Sequence, residues 1–372
     1  MKTILYFQAS GKISARQKLE GVYAFGREHG WNVLVIEPGA SERKEAELVG
    51  FWKPSGVIVE CGSEQNHFNP ATFEKTPAVF LDRNPKTLEA NAPCVTHDSV
   101  ATAKVAAREL LSLKLTSYAY VPWPEPRFWS DEREAGFAAA LRLNDLGYSR
   151  FNGRSKSSDV QALQRELGTW LRDLPKPVGI FAANDFMAAH VAATANRIGL
   201  DIPKDIALVG VDNDELLCEN TKPTLSSVMP DFRAAGEKAA AMLARLMANP
   251  KVRPAPESFG PLRLVRRSST NRLKRIDREV LAALDLIRRE ACNGLKARDV
   301  FALFTCTRRM AEIRFRAATG TSPLKTIQKI RRAKAEDLLA DPARDRNAIA
   351  NLCGYSSANA LANFLRRYSA RS

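Results

Sequence analysis

The chain has 372 residues, of which 45% are hydrophobic and 26% are charged, and its formal net charge is +15. This length allows two or three domains with separate cores, and the hydrophobic content excludes a wholly disordered protein. The excess of basic side chains predicts a polyanionic partner.

The first 250 residues alternate short apolar runs with amphipathic ones. Seven apolar runs predict strands, at 3–8, 31–37, 56–60, 77–82, 118–122, 178–182 and 207–211. Seven longer runs predict helices, at 14–29, 41–52, 99–113, 131–143, 159–173, 185–198 and 231–247. Strands separated by helices predict two doubly wound α/β halves with parallel sheets, and ligands bind beyond the carboxyl ends of such strands. We expect the halves at about 1–114 and 115–228, with 229–267 crossing back.

Five motifs in this body are Pro77–Arg83, Asp131–Phe137, Gly179–Asp185, Ile202–Asp212 and Leu225–Val228. Together they resemble the sugar-sensing core of the lac-repressor and galactose-repressor group, which is related to periplasmic sugar-binding proteins. The resemblance implies a periplasmic-binding-protein-like sensor over 1–267. It also implies a pentose effector, xylose first, although the residues alone do not separate xylose from other aldoses or exclude a non-pentose ligand.

Sugar recognition needs side chains that donate and accept hydrogen bonds, plus an aromatic wall. Arg133 offers a fork of donors, and the resemblance implies that Arg133 and Asn184 contact the ligand. Asp212 is the strongest carboxylate candidate because it ends a buried strand. The full set of candidate ligand contacts is Gln8, Ser10, Asp82, Phe128, Trp129, Arg133, Asn184, Asp185, Asp212 and Asn213.

Several of these candidates have a second interpretation. Asp185 caps the following helix in the alternative reading, and Asp82 pairs with Arg83 or stabilises a turn. The rings of Phe128 and Trp129 stack on a sugar or fill the core. The histidines at 67 and 97 show no partner pattern and are assigned no role.

The basic side chains are concentrated at the C-terminal end. Residues 1–262 carry 31 basic and 31 acidic side chains, whereas residues 263–372 carry 25 basic and 10 acidic ones. A neutral body with a basic tail predicts that one end of the molecule binds nucleic acid. We expect a basic linker at 268–276 and an all-α domain at 277–372.

This tail repeats itself at an offset of 49 residues, with Val300–Phe315 aligned on Ile349–Phe364. Each copy predicts a helix, a tight turn, a hydroxyl N-cap and a second helix, which is a helix-turn-helix. With Gly320–Pro323 and Arg331–Leu339, the copies resemble the AraC/XylS-type DNA-binding domain. One departure is Thr305 in the first turn, where that family usually has Gly.

The second helix of each unit is expected to enter the major groove. The candidate DNA contacts are Thr307, Arg308, Arg309, Glu312, Ile313, Arg316, Ser357, Asn359, Ala360, Asn363, Arg366 and Arg367. Which arginine reads a base stays open, and Arg314 is an alternative phosphate contact. The predicted core of the tail is Val300, Leu303, Phe315, Ile349, Leu352, Leu361 and Phe364.

The sequence therefore predicts a transcription regulator controlled by a small sugar. Its expected partners are operator DNA, the sugar, a second copy of the chain and, since AraC-type tails favour activation, RNA polymerase. Six scattered cysteines without CxxC spacing, a short apolar N-terminus and the lack of a spanning segment predict a cytoplasmic protein without a metal, a cofactor or a membrane partner. A sugar-processing enzyme and a ligand-independent DNA-binding protein are the rivals, but none of the common catalytic motifs is present.

Overall fold

The computed structural model describes residues 1–37, 42–61, 70–73, 75–84, 92–249, 251, 254–271, 278–339 and 344–369. The chain divides into two compact units, Met1–Thr270 and Asn271–Ser372. Ser268–Thr270 form a short 3₁₀-helix that is buried in the first unit, where Ser269 Oγ donates to the Leu208 carbonyl at 2.6 Å. The first unit therefore extends three residues beyond the boundary predicted at 267. Most of the predicted linker, 272–276, lies outside the described residues.

The first unit contains two six-stranded sheets and eight α-helices among its described residues. Its strands are β1 (Lys2–Phe7), β2 (Trp31–Ile36), β3 (Gly56–Glu60), β4 (Ala78–Leu81), β5 (Cys94–His97), β6 (Ser117–Val121), β7 (Ser149–Arg150), β8 (Val178–Ala182), β9 (Ile206–Val211), β10 (Ser226–Pro230), β11 (Glu257–Phe259) and β12 (Pro261–Val265). Its helices are α1 (Ile13–Glu28), α2 (Glu42–Trp52), α3 (Ser99–Ser112), α4 (Phe128–Arg142), α5 (Val160–Asp173), α6 (Asp185–Arg197), α7 (Glu215–Asn220) and α8 (Phe232–Ala248).

Each sheet belongs to one half of this unit. The first sheet has the order β11-β5-β4-β3-β1-β2 and is parallel throughout. The second has the order β12-β10-β9-β8-β6-β7, with β12 antiparallel to β10. The predicted pair of doubly wound halves is confirmed, although five of the strands, β5, β7, β10, β11 and β12, were not predicted.

The chain passes between the halves three times, after β5, after β10 and after β11. Helix α3 was expected in the first half, but its Ala103 and Leu110 share a core with Tyr120 and Phe181 of the second sheet. The predicted boundary at 114 is therefore wrong, because an amphipathic pattern shows that a helix has a buried face but not which sheet it covers. Helix α8 returns to cover the first sheet, and β12 then joins the second.

Helices α1 and α8 approach each other through glycine. A Cβ on Gly236 would lie 1.8 Å from the carbonyl oxygen of Lys18, and a Cβ on Gly21 would lie 2.1 Å from that of Arg233. Any larger side chain at either position would push the helices apart. This contact fixes α1, and with it the side chain of Lys18, against the first sheet.

The described residues of the second unit form helices only. They are α9 (Arg278–Glu290), α10 (Ala297–Phe301), α11 (Arg308–Thr319), α12 (Pro323–Leu339), α13 (Arg346–Leu352) and α14 (Ala358–Ser369). Two cores are present, one around Phe315 and one around Ile349, and α12 contributes Ile327 to the first and Ala335 to the second. None of the described helices is long and apolar enough to cross a membrane.

The two helix pairs, α10–α11 and α13–α14, differ in their turns. In the first, the backbone N–H and the hydroxyl of Thr305 both donate to Glu279 Oε1, at 3.0 and 2.7 Å. In the second, Gly354 takes φ +77°, and a Cβ there would lie 2.7 Å from the Cys292 carbonyl oxygen. A threonine cannot easily take this left-handed conformation, so an outside carboxylate holds the first turn instead.

Two leucines predicted as core are not buried. Leu303 and Leu352 occupy equivalent positions in the two pairs and are 39% and 53% exposed. The sequence pattern misplaced them because each lies at or just beyond the end of a short first helix, where the helical period no longer applies.

Candidate functional site

A cavity of about 170 Å³ lies between the two halves of the first unit. The first half and the crossovers contribute Ala9, Ser10, Lys12, Ser14, Lys18, Glu60, Asp82, His97 and Phe232, and the second half contributes Phe128, Trp129, Arg133, Asn184 and Asp212. At roughly 30 Å³ per water, the cavity has space for about five or six waters, which suits a small ligand. A wider groove of about 840 Å³ shares Lys12, Ser14, Asn184 and Asp212 with it.

Arg133 is the central donor of this cavity and is only 4% exposed. Its Nη1 donates to the Ala183 carbonyl. Its Nη2 lies 3.2 Å from His97 Nδ1 and 3.8 Å from Asp212 Oδ1, and the guanidinium lies 4.9 Å from the Trp129 ring centroid. The Nε of Arg133 is buried without a hydrogen-bond partner among the described residues, and a buried donor of this kind favours a ligand hydroxyl.

Two carboxylates leave strand ends in strained backbone conformations. Asp82 follows β4 with φ +55°, and Asp212 follows β9 with φ +109°. Non-glycine residues rarely adopt such angles, and surrounding packing must offset the cost. Burial raises the pKa of Asp212, while the Arg133 cation opposes the rise. The Asp212 side chain is nevertheless 27% exposed, because it faces the cavity.

Lys18 is a buried cation that was not among the predicted site residues. Its Nζ pairs with Glu60 Oε1 at 2.7 Å and with Asp82, and lies 5.4 Å from the Phe232 ring centroid. Burial alone would lower the pKa of Lys18, but the Asp82 and Glu60 carboxylates raise it above its ordinary value. One signal was available, because Lys18 falls on the same face of α1 as the buried Ala15 and Val22.

The charges around the cavity balance. Three cations, Lys12, Lys18 and Arg133, line it together with three carboxylates, Glu60, Asp82 and Asp212. Because a charged ligand would need an excess of the opposite sign to offset its desolvation, this arrangement favours an uncharged polar ligand.

Seven of the ten predicted ligand contacts line this cavity, and three do not. Gln8 instead donates to the Ser10 carbonyl at 2.7 Å. The Asn213 amide oxygen accepts from Arg267 Nη1 at 2.9 Å. Asp185 accepts from the backbone N–H of Asp214 at 2.9 Å and from Cys218 Sγ at 3.3 Å. Gln8 and Asn213 thus form hydrogen bonds on their own side of the cleft, whereas Asp185 lines the wider groove.

Asn184 and Asp185 are neighbours at the end of β8 but have different roles. Asn184 both lines the cavity and caps α6, since its Oδ1 accepts from the Met187 N–H at 3.0 Å. Asp185 was a candidate for this cap, but it is the first helical residue and lies fully within the protein. Burial, with the Asp212 carboxylate adding to it, raises the pKa of Asp185 to about 8.

Three arginines counted with the basic tail, at 263, 266 and 267, belong to the first unit, and the last two form ion pairs there. Arg266 pairs with Glu109 at 2.7 Å, and Arg267 is buried against Glu219 and Asn213. Their charge is neutralised internally. The segregation of positive charge is therefore slightly smaller than the sequence indicated, and it begins after Thr270.

Helices α11 and α14 present polar and basic side chains to solvent. On α11, the predicted DNA contacts that are exposed are Arg308, Arg309, Ile313 and Arg316, with Glu312 half-buried and paired to Arg316 at 3.0 Å. On α14, they are Asn359, Asn363, Arg366 and Arg367, with Ala360 half-buried. Thr307 Oγ1 accepts from the Met310 N–H at 3.4 Å, and Ser357 Oγ accepts from the Ala360 N–H at 3.2 Å. Arg314, the alternative phosphate contact, pairs with Glu279 at 2.5 Å.

The chain is similar to known regulators over most of its length. Residues 107–270 match the periplasmic binding protein-like domain family. The xylose operon regulatory protein of Escherichia coli K12 is 27% identical over 95% of this chain and 91% of its own, and that of Haemophilus influenzae is 27% identical over 96% and 92%. The structure of a xylose-binding transcription activator has a TM-score of 0.63 at 25% identity, covering 99% of this chain and 95% of its own. The lac repressor dimer, at 20% identity and a TM-score of 0.58 over 72% of this chain and 93% of its own, shares the fold.

Proposed function

We propose that this chain, a homologue of the xylose operon regulatory proteins over nearly its whole length, is a sugar-responsive transcription regulator. A small uncharged sugar would bind between the two halves of the first unit, and double-stranded DNA would bind to the second unit. The observation that carries the proposal is a small, charge-balanced cavity with an aromatic wall, on the same chain as two basic helix pairs.

The cavity offers what a sugar requires. Each ring hydroxyl both donates and accepts hydrogen bonds, and the ring has an apolar face. Arg133 and Lys18 supply donors, Asp82 and Asp212 supply acceptors, and Trp129 supplies an aromatic face. Asp82 Oδ1 and Arg133 Nε are both buried without partners among the described residues, so hydroxyls would complete their hydrogen bonding.

The second unit offers what duplex DNA requires. Helices α11 and α14 would act as the recognition helices of two helix-turn-helix units in successive major grooves. Arg308 or Arg309 would fork to guanine, a contact worth roughly 1–3 kcal/mol of discrimination, and Asn359 would suit adenine. Arg366 would neutralise a phosphate, which adds affinity without sequence information.

Sugar binding would control DNA binding through closure of the two halves. A ligand that touches both sides of the cavity favours the closed arrangement, and it shifts the population only by its preference for that state. We further propose that the chain acts as a homodimer on paired half-sites in the cytoplasm, and that it activates transcription in contact with RNA polymerase.

Xylose is the first sugar to test, because the relatives aligned over the whole chain are xylose operon regulators. Ribose is the second, because the ribose operon repressor of Bacillus subtilis is 29% identical over 219 residues, 58% of this chain and 64% of its own.

The test is a thermal-shift screen of the purified chain with xylose, arabinose, ribose, glucose, galactose and fucose. A ligand at about 100 times its dissociation constant stabilises the folded state by roughly 2.7 kcal/mol. We expect a shift with one pentose that is lost in Arg133→Lys, because lysine lacks the planar fork. Arg142→Lys is the matched control, since Arg142 is exposed on the same helix.

The DNA half of the proposal is tested in the same preparation. Duplexes selected by the protein from a random-sequence library would be titrated with and without the active sugar. A sugar-dependent change in affinity that Arg133→Lys abolishes and Arg142→Lys keeps would support the coupling. Absence of a shift with all six sugars, or an equal loss in both variants, would contradict the assigned cavity.

A further inference from the structure

The three crossovers between the halves meet in one aromatic cluster. His97 ends β5 at the first crossover, Phe232 begins α8 after the second, and Phe259 ends β11 at the third. The His97 ring stacks on Phe259 with centroids 5.0 Å apart and planes 16° apart. Phe232 lies 6.3 Å from His97 and 5.9 Å from Phe259. These rings therefore pack where any hinge between the halves must lie.

His97 also reaches the cavity from this cluster. Its Nδ1 lies 3.2 Å from Arg133 Nη2, and its Nε2 lies 2.8 Å from Thr102 Oγ1. Because a guanidinium only donates, Nδ1 must accept, and the ring proton must be on Nε2 and directed at the Thr102 hydroxyl. The contacts thus specify a neutral imidazole in one tautomer. Burial lowers the pKa of His97 well below its ordinary value, and the Arg133 and Lys18 cations lower it further.

The contacts of Arg133 come from both sides of the cleft. Ala183 and Asp212 belong to the second half, as does Arg133 itself. Among the described residues, His97 is the hydrogen-bond acceptor for Arg133 that comes from the first sheet. One imidazole therefore connects the main donor of the cavity to the crossover cluster.

We propose that His97 is a positioning residue for effector binding, whose Nδ1 holds the Arg133 fork towards the cavity and couples it to the crossovers. This inference rests on the proposed function. An arginine already held in its binding orientation loses less freedom when a hydroxyl binds. Any shift of Arg133 on ligand binding is also transmitted to the stack of His97 on Phe259.

Three substitutions separate the three contacts of this ring. His97→Asn places an amide oxygen near the position of Nδ1 and so keeps an acceptor for Arg133. His97→Gln places an amide nitrogen near the position of Nε2 and keeps the donor to Thr102. His97→Phe keeps the stack on Phe259 and removes both hydrogen bonds.

The affinity for D-xylose would be measured by calorimetry for each full-length variant, beside the melting temperature without sugar. We expect His97→Phe and His97→Gln to bind xylose roughly tenfold or more weakly, since a hydrogen bond to a charged group is lost. His97→Asn should bind xylose more tightly than both, even if its melting temperature is the lowest because it lacks the ring that stacks on Phe259. Unchanged affinity in His97→Phe, or affinities that follow the order of the melting temperatures, would overturn the proposal.

A second measurement does not depend on the sugar. The chain has 4 histidines, and the ¹⁵N resonances of His97 can be assigned by their loss in His97→Asn. We expect a neutral ring with its proton on Nε2 in the wild type at pH 7, and a changed signal in Arg133→Lys. A proton on Nδ1 would overturn the proposal even if xylose binds. If the Nε2–H form is found but none of the six sugars binds, it is the proposed function that fails, and with it the effector role of His97.

Discussion

The buried cation Lys18 provides the sharpest test of the site. Its Nζ lies between the Glu60 and Asp82 carboxylates, and its side chain is 4% exposed. Replacing Lys18 by methionine keeps most of the length of the side chain and removes the charge. Two carboxylates then face each other in a buried site without their shared cation.

Removing one partner of a buried ion pair costs about 3–5 kcal/mol. One kcal/mol shifts the melting temperature of a unit of this size by roughly 2–4 °C, so Lys18→Met should lower the melting temperature of the first unit by about 6–20 °C. Lys104→Met is the matched control, because Lys104 is exposed on α3 and surface changes of this kind stay within about 0.5 kcal/mol.

The pH dependence of the loss has a definite sign. In the wild type, the raised pKa of Lys18 means that its contribution is complete below the ordinary lysine pKa and is lost only as pH rises above it. In Lys18→Met, the folded state gains from taking up a proton on one of the two carboxylates. The deficit relative to wild type should therefore shrink as pH falls from 7 to 5.

Scanning calorimetry of the full-length proteins between pH 5 and 8 measures both effects. The double variant Lys18→Met/Glu60→Gln should recover part of the loss, since only one unpaired carboxylate remains and the glutamine oxygen can still accept from the Ala9 N–H. The reasoning is refuted if Lys18→Met melts like Lys104→Met, or if its deficit is the same at pH 5 and pH 8.

Three further predictions concern other parts of the chain. Burial raises the pKa of Asp185 to about 8, so the folded state keeps a proton that the unfolded chain releases above pH ~4, and the free energy of unfolding falls as pH rises towards 8. Asp185→Asn should therefore melt above wild type at pH 8 and close to it at pH 4. Calorimetry showing the reverse order would contradict this. Hydrogen bonds from Thr305 lower the pKa of Glu279, so the contribution of Glu279 to stability is present at neutral pH and is lost as pH falls through that lowered pKa. Glu279→Gln should reduce hydrogen-exchange protection in the Thr305 turn at pH 7, with Glu290→Gln as the control. Unchanged protection in Glu279→Gln would refute the role of this carboxylate in holding the turn. Arg366→Ala should reduce the steepness of the fall of log DNA affinity with log salt by roughly 0.9 without changing base preference. Asn359→Ala should instead change base preference and leave this salt dependence unchanged. Anisotropy titrations over a salt series separate the two outcomes.

The sequence was sufficient for the features that local patterns encode. The alternation of apolar and amphipathic runs predicted two parallel α/β halves, and the comparison with periplasmic binding protein-like domains agrees. The repeat at 49 residues predicted two helix pairs, and α10–α11 and α13–α14 lie where it placed them. Arg133, Asn184 and Asp212 were found as cavity residues because each lies within a motif of the resembled family, and the last two also follow strand ends.

Tertiary structure alone decided which side chains meet. Lys18 and Glu60 are 42 residues apart, and His97 and Arg133 are 36 apart, so no local pattern could pair them. The same limit explains the arginines at 266 and 267, which seemed part of the basic tail until the fold placed Glu109 and Glu219 beside them. A hydrophobic period determines that a side chain is buried, because burial depends on the face of its own helix or strand. The partner of a buried charge depends on where the chain crosses between the halves, and that is fixed only when helix α3 packs on the second sheet and helix α8 on the first.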